Sequence, residues 1–248
     1  MPALRAAQSA RELAKCTRIS DVMPASHFPS DRAVGSAPDF GCVRSKLVLC
    51  SECGFRYVES SQGDRRLHRR IHDEIVNGLR RSGLRSCPVA WHSGARSVVV
   101  INGQSPRVHR RLAEQVSLVA AGDTKFSNVA YCADERPDDR QIHLFLGVEE
   151  DRARAYVCFE RRSRIWQCTW PEHDAGVPPH RLDDRAMWSI GYAWVCRAHR
   201  RTGWMRAIIA TAADRLGFGS DFGWYTPFTE AGKAVARRLC PSGIFIAK

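Results

Sequence analysis

Met187-Trp188-Ser189-Ile190-Gly191-Tyr192-Ala193-Trp194-Val195-Cys196 leads directly into His199-Arg200-Arg201-Thr202-Gly203-Trp204-Met205 and then into an apolar stretch, Ala207 to Leu216. The first segment reads as a strand and the last as a helix, joined by a short basic turn. A glycine-containing turn at a helix N-terminus presents successive backbone N–H groups, and such a turn binds phosphate without any acidic or catalytic side chain. Arg200 and Arg201 would add charge-assisted contacts. Basic helix starts are common, so the weight of this turn comes from its place between strand and helix.

Outward from this unit, strand and helix patterns alternate. On the C-terminal side lie a strand at Phe222 to Tyr225, a helix from Thr229 to Leu239 and a last strand at Gly243 to Ile246. On the N-terminal side, Gln141 to Gly147 and Arg154 to Phe159 read as an antiparallel pair about the charged turn Glu149-Glu150-Asp151-Arg152. Ser97 to Ile101 reads as a strand, and Pro106 to Ala121 as a helix with Val108, Leu112, Val116 and Val119 on one face. The sum is a mixed α+β layer structure over residues 82–248.

A second unit precedes it. Cys50-Ser51-Glu52-Cys53, fourteen residues, then His68-Arg69-Arg70-Ile71-His72 is a two-cysteine, two-histidine spacing. Four such ligands close a tetrahedron around Zn2+ and leave no open position for a catalytic water, so the role expected of the metal is structural. His68 and His72 share a helix face, beside a stripe of Leu67, Ile71, Ile75 and Leu79. With Leu47 to Leu49 and Phe55 to Tyr57 as short strands and Gly63-Asp64 as turn and N-cap, residues 41–81 read as a ββα finger. Residues 1–40, rich in Ala, Ser and Pro, read as a flexible arm.

The 248 residues and 44% hydrophobic content suffice for one ordinary domain plus a small module. No apolar run suits a signal peptide or a membrane span, so ten cysteines point to a reducing interior, cytoplasmic or, in a eukaryote, nuclear. Cys132, Cys158 and Cys196 sit in strand-like contexts, as packed core thiols do. The net charge of +12 favours anionic partners. Arg65, Arg66, Arg69, Arg70, Arg80 and Arg81 are either a solvated helix face or a weak nucleic-acid contact, since one finger discriminates little sequence.

The finger and the mixed domain together resemble the Eco/ESCO acetyltransferases, in which a C2H2-type finger precedes a GCN5-related N-acetyltransferase (GNAT) domain. The resemblance covers residues 42–248 and rests on Cys53-Gly54-Phe55-Arg56-Tyr57 with His68 and His72, on Ile142 to Ala155, on Trp194 to Gly203 and on Gly232-Lys233 to Phe245. It implies a central sheet splayed at Trp194 and Val195, with acetyl-CoA entering the splay and its pyrophosphate on the backbone of Arg200, Arg201, Thr202, Gly203, Trp204 and Met205. Three positions depart from the family pattern. Met205 stands where the family has Gly or Ala, Gly191 where it has a serine, and Tyr225-Thr226-Pro227-Phe228 where it has a Ser-Asp-Pro-like segment.

The function implied is transfer of an acetyl group from acetyl-CoA to a lysine or other primary amine, a protein lysine among the acceptors. A lysine amine is mostly protonated at neutral pH, its free pKa being about 10.4, so some group must take a proton. Glu230, with Asp221 and Asp183 behind it, is the candidate, and Tyr225 is the candidate donor to the leaving thiolate. Each also has a structural reading, Glu230 as a first-turn helix residue and Tyr225 as a core aromatic. Two other classes stand beside this one: a GNAT-fold binding module without turnover, and a zinc-finger nucleic-acid-binding protein.

Overall fold

The computed structural model describes residues 46–125, 142–182 and 186–247. The expected arm, together with Cys42, Cys132, Gln141 and Asp183, lies outside the described residues.

A two-stranded antiparallel ribbon, β1 (Leu47–Leu49) and β2 (Arg56–Val58), is followed by helix α1 (Gln62–Asn77). Gly54, at φ +70°, turns the knuckle between the strands, where its N–H donates to the Cys50 carbonyl at 2.8 Å. The helix starts earlier than expected. Ser61 is the N-cap and its hydroxyl accepts from the Asp64 N–H at 3.2 Å, while the Asp64 carboxylate accepts from the Val58 N–H at 3.0 Å and ties α1 to β2. Gly63 and Asp64 are therefore first-turn residues rather than turn and cap. The helix also stops before Leu79. Gly78, at φ +86°, breaks it where a Cβ would stand 2.3 Å from the Ala153 carbonyl oxygen. Leu79 then enters β3 (Leu79–Arg80) and pairs with Ala153.

The remaining strands are β4 (Val89–Ser93), β5 (Arg96–Asn102), β6 (Ile142–Glu149), β7 (Arg152–Arg162), β8 (Ile165–Cys168), β9 (His180–Leu182), β10 (Met187–Val195), β11 (Gly223–Tyr225) and β12 (Ile244–Ala247). They form one sheet in the order β4-β5-β6-β7-β10-β11-β12-β8-β9, with β3 on the start of β7. The pairs β10/β11 and β11/β12 are parallel and the others antiparallel. Between β6 and β7, Glu150 and Asp151 both take positive φ, as a two-residue hairpin turn requires.

Four helices complete the layers: α2 (Arg107–Thr124), α3 (Trp170–Asp174), α4 (Trp204–Leu216) and α5 (Glu230–Leu239). Helix α2 covers one face over Leu144, Leu146, Tyr156 and Trp194, and α4 covers the other over Phe145, Val157, Phe159 and Trp188. The buried stripe of α2 runs through His109, Leu112, Ala113, Val116 and Ala120, not through Val108, which is 60% exposed. Small alanines mark the true interface because they let the helix approach the sheet. Cys158 and Cys196 are buried in the core as expected, and burial pushes the Cys196 thiol up to about 11.

Candidate functional site

The strand that decides the fold also opens it. β10 pairs with β7 along its length, but with β11 only at Ser189↔Gly223 and Ile190↔Trp224. A register shift between Ile190 and Tyr192 marks a bulge at Gly191. From there to Val195 the ladder has no partner on its second side. The Cys196 N–H donates to the Arg154 carbonyl of β7 at 2.8 Å. Backbone polarity alternates along a strand, so the Val195 N–H one residue earlier points the other way, into the gap. The expected splay at Trp194 and Val195 is present.

At the top of the gap stands the N-terminus of α4. Gly203 is its N-cap at φ +92°, Arg201 lies at φ +64°, and no side chain caps the helix. The N–H groups of Trp204, Met205 and Arg206 are thereby left without helical acceptors and face outward. A Cβ on Gly203 would meet nothing within 4 Å, so the approach is open. Trp204 contributes backbone only, since its ring is 2% exposed and packs on Gly147, where a Cβ would stand 2.5 Å from the indole. Met205 packs into the core below α4. Its bulk, the first departure from the family pattern, is turned away from the phosphate approach.

Side chains behind the turn hold it in place. Asp123, in the last turn of α2, has a side chain 1% exposed and accepts from Trp194 Nε1 at 2.9 Å, Arg197 Nε at 2.7 Å and Arg200 Nη2 at 2.6 Å. Arg200 also donates to the Val195 carbonyl at 3.1 Å, so its guanidinium braces the strand-to-turn junction. Arg201 is exposed and is the turn's outward cation. Thr202 Oγ1 donates to the His199 carbonyl at 2.6 Å, and the Thr202 carbonyl accepts from Arg96, whose guanidinium lies over Trp204. A groove of about 460 Å³ along α4 against Trp91 lies on the β4 side. Gly203 and Arg206 line it, so it adjoins the head of α4 without reaching the released edge of β10.

Across the gap, Tyr225 ends β11 and its hydroxyl donates to Glu160 Oε2 at 3.1 Å. Burial, with the Glu160 charge beside it, pushes the Tyr225 hydroxyl above its ordinary range, so it stays a neutral donor. Glu230 is exposed in the first turn of α5, below the Thr229 N-cap. Asp221 is exposed and accepts from Ser220 Oγ at 3.3 Å. Sequence reasoning missed Glu160 and Asp123. An acid in the last turn of a helix opposes the dipole and was a signal for Asp123.

In the finger, one ligand atom from each of Cys50, Cys53, His68 and His72 lies within 4.8 Å of the others. His68 Nε2 is buried without a hydrogen-bond partner, an orphan that a metal would satisfy. The Cys50 thiol is lowered to about 6, chiefly by the Cys53 backbone N–H against the opposing cost of burial, with His68 and His72 assisting. His72 Nε2 lies 3.2 Å from Glu52 Oε2, which orients the ring with Nδ1 towards Cys50 at 3.5 Å. The donor set fits Zn2+. Arg197, held by Asp123, also donates to the Glu52 carbonyl of the knuckle.

Residues 39–74 match the family model described as the zinc-finger of acetyl-transferase ESCO. The chain is 20% identical over 225 residues to N-acetyltransferase ESCO2 of Danio rerio, an alignment covering 84% of this chain and 36% of that protein. Among solved structures it resembles the xEco2 acetyltransferase domain bound to a K105-CoA conjugate, with TM-score 0.52, 14% identity, and coverage of 65% of this chain and 98% of that one. The xEco2 acetyltransferase domain in a second structure gives TM-score 0.50 at 13% identity, covering 65% and 95%. In placing a ββα zinc-binding motif before a GNAT-like sheet, the chain is similar to the Eco/ESCO-type zinc-finger acetyltransferases, and it spans 36% of the length of the curated relative it matches.

Proposed function

We propose that the protein is an N-acetyltransferase that moves an acetyl group from acetyl-CoA to a lysine or other primary amine. One observation carries this reading: a strand released from its neighbour at Gly191 runs directly into an uncapped, glycine-headed helix. The exposed strand edge suits the amide-bearing arm of the co-substrate, and the N–H groups of residues 204–206 suit its pyrophosphate. The Ala193 N–H, which points into the gap like that of Val195 and lies two residues from the bulge at Gly191, would then face the thioester carbonyl and stabilise the oxyanion formed on attack, which needs no side chain. That is how turnover is compatible with Gly191 and Thr226 in place of the family's serine and aspartate. Cys50, Cys53, His68 and His72 would hold Zn2+, which supplies structure to the finger and no chemistry to the transfer.

The test is calorimetric titration of acetyl-CoA into zinc-loaded protein beside two variants. Gly203→Glu puts bulk and negative charge on the phosphate approach, and Arg201→Glu reverses an exposed cation without touching the core. Saturable binding by the wild type that is lost in Gly203→Glu and weakened in Arg201→Glu supports the reading. A folded wild type that binds no acetyl-CoA refutes it. Binding without transfer to any amine favours the alternative, a GNAT-fold module that has lost turnover.

A further inference from the structure

The acceptor side of the gap holds one carboxylate whose two oxygens differ. Glu160, on β7 opposite Ser189, has a side chain 22% exposed. Its Oε2 accepts from the Tyr225 hydroxyl at 3.1 Å and from Arg162, whose guanidinium lies 5.2 Å over the Tyr225 ring. That oxygen is fully engaged. Its Oε1 has the Cys158 thiol at 3.9 Å, a weak donor at long range, and otherwise faces Gly191. A Cβ on Gly191 would stand 2.9 Å from Oε1, so the missing side chain at the bulge leaves this oxygen uncovered where β10 and β11 part. Any larger residue at position 191, a serine included, would displace the carboxylate.

We infer that Glu160 Oε1 is the seat of the acceptor's ammonium group, and that the substrate class is a cationic primary amine reaching the thioester past Gly191. The inference rests on the acetyl-CoA reading above. Glu160 accepts one proton from the bound ammonium, and the freed lone pair attacks the thioester carbonyl carbon. A C–N bond forms and the C–S bond breaks. The departing thiolate takes the second nitrogen proton, and the proton on Glu160 returns to solvent. The sum is ammonium plus acetyl-CoA giving amide, CoA thiol and one proton. Tyr225 and Arg162 fix Oε2 and so aim Oε1, which makes them positioning residues.

Glu160→Gln keeps the shape and an acceptor for Tyr225, and the zinc-loaded full chain is the test protein. Acetyl-CoA affinity by calorimetry and thermal midpoint are expected to match the wild type. Thiol release with poly-L-lysine as acceptor is expected to fall at least about 100-fold in kcat/KM, the low end for losing a proton-transfer group. With hydroxylamine, an amine that is neutral at neutral pH, the fall is expected to stay within about tenfold, and Glu160→Asp is expected to recover part of the loss. A Gln variant within threefold of the wild type on poly-L-lysine, or an equal loss with both acceptors, overturns the assignment. A wild type that binds acetyl-CoA but acetylates neither amine overturns it too and leaves the cofactor reading standing. A wild type that binds no acetyl-CoA brings down the parent reading instead.

Discussion

Asp123→Ala removes a carboxylate that joins α2 to the strand and turn of the proposed cofactor site. The loss can be worked from its three donors. The Trp194 indole N–H is buried, and stranding it costs about 1–3 kcal/mol. Arg197 and Arg200 have side chains 30% and 46% exposed, so each can turn to water, and each lost pair is worth no more than about 1 kcal/mol. Relief of the buried carboxylate's own desolvation offsets part of the total, leaving a destabilisation of about 3 kcal/mol. For a domain of this size that lowers Tm by about 6–12 °C. Arg200 also loses its hold on the Val195 carbonyl, so acetyl-CoA affinity should drop about tenfold, equivalent to ~1.4 kcal/mol. Calorimetric unfolding of zinc-loaded protein and acetyl-CoA titration measure both. A Tm shift below about 2 °C, or a loss of stability with unchanged acetyl-CoA affinity, would refute the claim that this carboxylate organises the turn.

Two further outcomes follow from the packing and the charges. Gly147→Ala places a methyl 2.5 Å from a buried indole that cannot swing aside, so it should destabilise by about 1–3 kcal/mol and weaken acetyl-CoA through the displaced head of α4, read by urea unfolding and titration. The Asp73 carboxyl is exposed to a burial cost, yet its bonds from Asn77 and Arg152, each at 2.9 Å, hold it below its ordinary range. Its stabilising contribution is therefore complete above the unfolded carboxylate pKa of about 3.9 and is lost as pH falls through the lower folded value. Denaturant unfolding from pH 5 down to pH 2 should show an acid limb that Asp73→Asn flattens.

The parts of the molecule legible in the sequence are those where one local signal suffices. Met187 to Val195 declared itself by a largely apolar run, α4 by the glycine before it, and the finger by ligand spacing that few other structures need. The hairpin of β6 and β7 was visible because a charged turn interrupts two apolar runs. What escaped depends on partners distant in the chain. β4 is an edge strand whose Val89, Trp91 and His92 are exposed or nearly so, and it shows no alternation. β8, α3 and β9 are short, and α3 is set by a capping box between Thr169 and Glu172 ahead of any periodicity. Glu160 reads as a polar residue closing an apolar strand. Its meaning comes from Tyr225, 65 residues further on, and from a bulge that no spacing reveals. On α2, Leu112, Val116 and Val119 face the core as expected, and only Val108 was misplaced, because a valine outweighs an alanine in hydropathy while the interface takes Ala113 and Ala120.

The bond from Arg197 to the Glu52 carbonyl spans 145 residues of sequence, and it bears on the order of assembly. The four metal ligands lie within positions 50–72, so the finger can collect its ion early in synthesis. The arginine that braces the knuckle follows the last ligand, His72, by roughly 6–25 s at ordinary elongation rates of about 5–20 residues per second. Over that interval the nascent metal site must stand on its own ligands, and only when β10 docks does it gain its external brace. A ligand substitution that weakens zinc should therefore be most damaging during biogenesis, and a mature protein from which zinc is slowly stripped should keep its finger longer than a truncated chain ending before residue 197.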